Sequence, residues 1–199
     1  MARSCGLEIP NTIISTGRKN ILEFYKNNYE SIVSKSISDS INYLNKGYSY
    51  SNFTEALNND DIEDAKCNFF PSLLQNNINK RFELRIFYFF GLFYTMAIFS
   101  QADEKTKIDF RKYNFVRPNR NIPFILPQEI KIKIIDFMNA LNLDTGSIDM
   151  IYTMDKKYVF LEVNPVGIFN MVSVPCNYKI EKEIANYLIN LTKLDSYNE

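Results

Sequence analysis

The stretch "KRFELRIFYFFGLFYTMAIF", residues 80–99, sets the first limit on the fold. Its opening alternates: Phe82, Leu84 and Ile86 point one way and Arg81, Glu83 and Arg85 the other. That is the period-2 pattern of a strand with one buried face. Beyond Ile86 the pattern becomes an apolar run through Phe99, broken by Gly91. A membrane-spanning helix needs about 20 apolar residues, so this shorter run predicts a buried β-hairpin instead.

Strands and helices mix along the rest of the chain. Residues 9–16 are β-branched and short, 18–28 have helical spacing, and 31–37 alternate with Val33 and Lys35 on one face. Residues 38–68 are polar and weakly patterned, which suits a loop and a broken sheet edge. Strand character returns over 69–90. Residues 126–143 form an amphipathic pattern with Ile130, Ile134, Phe137, Met138 and Leu141 inward. Residues 146–164 read as two strands around an Asp155–Lys157 turn. A second amphipathic helix, over 178–193, turns Ile180, Ile184, Tyr187, Leu188 and Leu191 inward. Together these predict an α+β fold, antiparallel sheet flanked by helices.

Composition narrows the chemistry. The chain has 199 residues, is 46% hydrophobic, and balances 23 Lys and Arg against 23 Asp and Glu. A neutral chain lacks the basic footprint of non-specific nucleic-acid binding. There is no histidine, which removes Ser-His and Cys-His dyads and the commonest transition-metal ligand. Asp, Glu, Lys, Arg, Asn and Gln remain, a set that suits a hard cation and phosphate groups. Cys5, Cys67 and Cys176 are scattered and odd in number. They predict free buried thiols in a reducing cytoplasm. No signal-peptide core opens the chain.

One strand poses a question. "YVFLEVNPVG", residues 158–167, is almost wholly apolar yet places Glu162 and Asn164 on one face. If the turn is Asp155–Lys157, Met154 pairs near Tyr158. Asp149 then falls opposite Glu162, or within two positions of Glu162 and Asn164. Opposed side chains have Cβ atoms about 5 Å apart, so three oxygen-bearing groups converge. Two carboxylates this close repel unless a cation separates them, and oxygen-only donors suit Mg²⁺. The spacing also admits a solvent-facing strand end with unrelated polar residues. Taken singly, Lys35 reads equally as a solvated lysine, Glu83 and Arg85 as a cross-strand ion pair, and Arg111 beside Asp109 as a loop salt bridge.

"DMIY…FLEVNPVG" resembles the closing motif of the ATP-grasp ligases, an Asp on one strand and E-x-N-P on the next. Other pieces follow in family order. "SIVSKSI" resembles the strand whose Lys, here Lys35, meets the nucleotide phosphates. "SLLQNNINK" resembles the hinge along the adenine, here Gln75, Asn76, Asn77 and Ile78. "KRFELRIF" resembles the K-x-x-[DE]-x-R strand: Lys80, then Glu83 for the ribose hydroxyls and Arg85 for phosphate. "DFRKYN" resembles the next strand, with Arg111 facing the γ-phosphate and acyl-phosphate. "FPSLLQ", "ELRIFYF", "FYTMAIFSQ", "RPNRNIPFILP" and "NLDTGSIDMI" draw the resemblance closer to the grasp-with-spasm peptide maturases, relatives of the microviridin ligases.

That resemblance implies an ATP-grasp fold of two α+β lobes. Residues 1–74 would form part of the first lobe and 75–199 the C-terminal lobe with the metal site. It implies ATP and Mg²⁺, with Asp149, Glu162 and Asn164 as metal ligands and Arg85 and Arg111 as catalytic groups. The expected partner is a precursor peptide whose side chains are crosslinked through an acyl-phosphate to an ester or amide. Nucleic acid and membrane are not expected, and a homodimer stays open. Two features depart from the family: Ile168 stands where Gln usually follows N-P-x-G, and the N-terminal domain expected before "GLEIP" is not in this sequence. The alternatives are a related ligase that adds amino acids to a protein, or a non-catalytic nucleotide- or peptide-binding remnant.

Overall fold

In the computed structural model, which describes residues 1–37, 43–45 and 48–195, the 80–99 stretch is a hairpin at the centre of the larger of two main sheets. The smaller sheet is built from β1 (Thr12–Gly17), β2 (Ile32–Lys35), β5 (Glu55–Leu57) and β6 (Asn68–Asn76), in the order β1-β6-β2-β5. All its pairings are antiparallel. Helices α1 (Arg18–Asn27) and α2 (Asn59–Glu63) complete this unit. Its core is Ile21, Tyr25, Ile32, Ile62 and Leu74. A separate ribbon pairs β3 (Tyr43–Asn45) with β4 (Tyr48–Tyr50).

The polar region 38–68 thus holds more order than its sequence suggests. Its α2 begins with a capping box, in which Asn58 and Asp61 each accept the other's backbone amide. The part of the expected loop at 38–42 and 46–47 lies outside the described residues.

The larger sheet runs β11-β10-β7-β8-β9. Its strands are β7 (Lys80–Phe89), β8 (Leu92–Phe99), β9 (Arg120–Pro123), β10 (Thr145–Thr153) and β11 (Tyr158–Asn164). Helix α3 (Gln128–Ala140) covers one face. Phe82, Leu84, Ile86 and Tyr88 of β7 meet Ile130, Ile134, Phe137 and Met138 there. Helices α4 (Asn170–Cys176) and α5 (Ile180–Asp195) cover part of the other face, over Phe87, Phe89, Met96 and Ile98. This second face of β7 is therefore covered by apolar helix at its end, whereas at its start the buried Glu83 meets the polar groups Lys80 and Ser100. This is why alternation turns into an apolar run at Ile86. The turn at Phe90 and Gly91 has positive φ at both residues, the sense that fits the twist of a two-residue hairpin.

Three details of the sequence reading change. Leu188 and Leu191 face outward, because Tyr187 already reaches the tip of the β7–β8 hairpin, stacking on Phe90, and α5 runs on beyond it. Cys176 is buried, but Cys5 is only partly buried and Cys67 is exposed. The hairpin turn is longer than Asp155–Lys157: Thr153 N donates to Lys157 O at 3.0 Å, and Tyr152, not Met154, pairs with Tyr158.

The first residues pack on the larger sheet rather than the smaller one. Leu7 lies in the α3 core, and Phe160 N donates to Glu8 O at 2.8 Å. Strand β6 continues to Asn76 and β7 begins at Lys80, so the two sheets change over at 77–79, and a division after residue 74 cuts through β6. No helix among the described residues is long and apolar enough to cross a membrane.

Candidate active site

The polar start of this second β7 face continues across β10 and β11 as one charged row. Arg85 lies opposite Asp149 in the β7–β10 pairing, and Asp149 lies opposite Glu162 in the β10–β11 pairing. The two carboxylates are thus cross-strand neighbours, as the sequence predicted. Arg85 Nη1 donates to Asp149 Oδ2 at 2.6 Å. From the other sheet, Lys35 Nζ reaches Glu162 Oε2 at 3.0 Å. Burial pushes the Asp149 carboxyl above its ordinary pKa; Arg85 and Lys35 pull it down, and Glu162 pushes it further up. A bulge sits at this spot: Asp149 pairs with Glu162, the next step pairs Met150 with Phe160, and Leu161 is extra. Bulges re-aim side chains in this way. Without it, the Tyr152–Tyr158 register would set Leu161 against Asp149.

Arg111 approaches from the connection between β8 and β9. Its Nε lies 2.9 Å from Asp109 Oδ1 and its Nη2 2.5 Å from Asp109 Oδ2. The Asp109 bond raises the guanidinium pKa most, burial opposes it, and the charges of Glu162 and Asp149 also contribute. The loop salt bridge therefore exists, and Arg111 is also within electrostatic reach of both carboxylates. Burial alone would raise the pKa of Asp109, yet Arg111 and the Thr54 amide, at 2.8 Å, hold it below the ordinary value. Asp109 thereby ties this connection to the segment before β5.

Asn164 closes β11 and shapes the loop beyond it. Its Oδ1 accepts from Val166 N at 3.0 Å and Gly167 N at 3.3 Å. Gly167 has φ +27, and a Cβ there would stand 2.6 Å from Ser147 N. The glycine of N-P-x-G is needed because the loop folds directly onto β10.

This donor set fits a hard cation in part. Asp149 and Glu162 are adjacent, oxygen-bearing and flanked by cations. The Asn164 oxygen would reach an ion only by giving up its loop amides. Among the described residues no group of three or more His, Cys, Asp or Glu side chains is placed to hold a metal. An ion on two carboxylates needs further oxygens, and Mg²⁺ commonly takes these from water and phosphate.

The hinge residues separate into two kinds. Asn76 N donates to Asn11 O at 3.1 Å and Asn77 N to Ser31 O at 2.9 Å. The Asn76 side chain accepts from Asn11 N, and Gln75 Nε2 donates to Thr12 Oγ1. The backbone amides of Asn76 and Asn77 are thus already engaged within the protein. Lys80 and Glu83 turn inward. Lys80 Nζ donates to Glu83 Oε1 at 2.6 Å and to Ile108 O at 2.8 Å, and Ser100 Oγ donates to Glu83 Oε2. Burial raises the Glu83 pKa against the pull of Lys80 and Ser100. The ion pair on this strand joins Glu83 to Lys80, while Arg85 serves Asp149. Sequence reasoning named Asp109 as a salt-bridge partner of Arg111 but not its tie to the Thr54 amide, and it missed Ser100. The D-x-R spacing of Asp109 and Arg111 carries the signal for that salt bridge; nothing marks Ser100.

No protein-family model and no curated protein matches the chain. Solved structures do. The macrocyclase MdnC from Microcystis aeruginosa MRC, bound with precursor peptide MdnA, is 32% identical with a TM-score of 0.79, over 95% of this chain and 57% of that one. A Chryseobacterium gregarium RiPP-associated ATP-grasp ligase, in complex with ADP and a leader and core peptide, is 30% identical with a TM-score of 0.78, over 84% of this chain and 50% of that one. The ATP-grasp ligase PsnB, complexed with minimal precursor, Mg and ADP, shares the fold at 16% identity and a TM-score of 0.74, over 95% of this chain and 55% of that one. The chain spans about half the length of these solved chains.

Proposed function

Starting from a chain with the ATP-grasp fold of the RiPP-associated ligases, we propose that it serves ATP-dependent ligation within a ribosomally made precursor peptide. A side-chain carboxylate of the peptide is joined to a hydroxyl or amine of the same peptide. The observation that carries this reading is the convergence of Lys35, Arg85 and Arg111 on Asp149 and Glu162. Cations around paired carboxylates suit a metal-bound polyphosphate.

Asp149 and Glu162, with Asn164 where its oxygen leaves the loop, would hold Mg²⁺. The ion, when bound, supplies charge neutralisation on the phosphates. Among the described residues Lys35 and Arg111 pair with carboxylates, Glu162 and Asp109, and a polyphosphate offers the same kind of anionic oxygen. Arg85 aims Asp149 and favours its carboxylate form against burial. A peptide carboxylate oxygen bonds to the γ-phosphorus as ADP leaves. The hydroxyl or amine then bonds to the acyl carbon, inorganic phosphate leaves, and the nucleophile's proton passes to solvent. The peptide loses one water per new bond and one ATP becomes ADP and phosphate. No protein nucleophile is required, in keeping with a chain without histidine.

Incubation with Mg-ATP and the precursor peptide tests this by mass spectrometry. The expected result is a peptide lighter by one water per crosslink, with one ADP formed for each. ATP binding with neither ADP formation nor dehydration would favour the nucleotide-binding alternative.

A further inference from the structure

We infer that Lys80 and Glu83 form a buckle that positions Arg111, rather than a contact surface for the nucleotide. The inference rests on the ligase reading above, since it concerns a group of that same site. Three bonds carry it. Glu83 accepts from Ser100 at the start of the connection between β8 and β9, and it accepts from Lys80. Lys80 also donates to Ile108 O, just before Asp109 and Arg111. One buried ion pair on β7 therefore closes a loop at both ends, at Ser100 and at Ile108. Within the loop, Thr106 Oγ1 donates to Ser100 O at 2.7 Å, and Gln101 Nε2 donates to Lys107 O at 2.9 Å. The loop that leaves the buckle presents Asp109, which grips Arg111 in a two-point bond.

The side chains of Lys80, Glu83, Ser100 and Thr106 are buried, and both Glu83 oxygens are engaged. Each Glu83 oxygen already holds a donor and the side chain is buried, so a ribose hydroxyl would have to enter this cluster and disturb Lys80 or Ser100. Leaving either unpaired inside the protein is costly. A charged pair held this way fixes geometry, and small displacements of a catalytic cation cost large factors in rate. Lys80 and Glu83 are therefore positioning residues that act on the γ-phosphate through Arg111.

The test compares wild type with Glu83→Gln and, as a milder variant, Ser100→Ala. Calorimetry measures affinity for Mg-ATP, Mg-ADP and Mg-2′-deoxy-ATP, and hydrogen exchange follows residues 100–111. The buckle predicts faster exchange over 100–111 with β10 and β11 unchanged. It also predicts that ATP affinity falls about tenfold while ADP affinity falls much less, as for Arg111→Ala, since charged hydrogen bonds are the stronger kind. The ratio of ATP to 2′-deoxy-ATP affinity stays at the wild-type value. In an Arg111→Ala background Glu83→Gln adds no further loss, whereas with Lys35→Ala the two effects add. A collapsed deoxy ratio in Glu83→Gln would return Glu83 to the ribose and overturn the inference, as would equal losses for ATP and ADP. If the wild type binds no nucleotide, the ligase reading falls, and the exchange data decide the buckle alone: unchanged exchange over 100–111 refutes it.

Discussion

Lys35 and Glu162 stand in different sheets, 127 residues apart in sequence, with Nζ 3.0 Å from Oε2. The ammonium is largely covered and the carboxylate half exposed. A partly exposed pair of this kind contributes only about 0–1 kcal/mol to stability. Lys35→Met should therefore leave the unfolding midpoint nearly unchanged. If Lys35 serves the phosphates, the same variant should lose most of the Mg-ATP-induced rise in that midpoint. A full nucleotide-induced shift in Lys35→Met would remove it from the site.

Gly167 and Gly91 give a paired test of the loop after β11. Both have positive φ, but a Cβ at Gly91 meets nothing within 4 Å, whereas at Gly167 it meets Ser147 N at 2.6 Å. Gly91→Ala should cost about 1–2 kcal/mol, the left-handed penalty alone. Gly167→Ala should cost more and should also weaken Mg-ATP binding, because the loop that Asn164 holds is pushed off β10. Denaturant melts of both variants check the order. Equal costs would mean that the close approach does not matter.

The pH dependence of stability follows from Glu83. Its folded pKa is raised above 4.5 by burial, so the folded state holds the proton more tightly than the unfolded chain. The Glu83 contribution is full below about 4.5 and is lost as pH rises toward the folded value. Relative to Glu83→Gln, the wild type should therefore lose stability as pH climbs upward from about 4.5. Melting curves of the two proteins at several pH values test the sign. A gap that moves the other way would mean that Lys80 and Ser100 outweigh burial.

Much of the larger sheet was legible because its strands carry period-2 alternation and its helix α3 a clean apolar stripe. The Asp149–Glu162 pairing was also legible, from hairpin counting, although two errors offset each other there. The turn was longer than the count assumed, and the bulge at Leu161 moved Glu162 back toward Asp149. Helix α4 was not legible: it has seven residues, two of them Val, with Pro175 inside, and local propensity argues against it. The inward turn of Lys80 and Glu83 was hidden for another reason. Alternation placed Glu83 correctly on the charged face, but only the tertiary position of Ser100 and Ile108 converts that face from a ligand surface into an internal clamp.

The metal face can be probed at either carboxylate. Asp149→Asn removes a proposed ligand and the charge that Arg85 pairs with, whereas Glu162→Gln removes the charge that Lys35 pairs with. Both should weaken Mg-ATP binding by about tenfold or more, since each removes a charged donor from the ion and the phosphates. Asp149→Asn should also lower stability by more than Glu162→Gln, because its pair with Arg85 is the more buried. Equal unfolding midpoints for the two variants would contradict that ordering.

The central claim is that this row of charges receives a metal-bound ATP. The most direct measurement is calorimetric titration of the wild-type chain with ATP in the presence of Mg²⁺ and again with the metal chelated, alongside Glu162→Gln under both conditions. The account predicts binding in the wild type that depends on Mg²⁺, and a Glu162→Gln variant in which most of that metal dependence is gone. ATP affinity that is the same with and without Mg²⁺, and the same in Glu162→Gln, would contradict it.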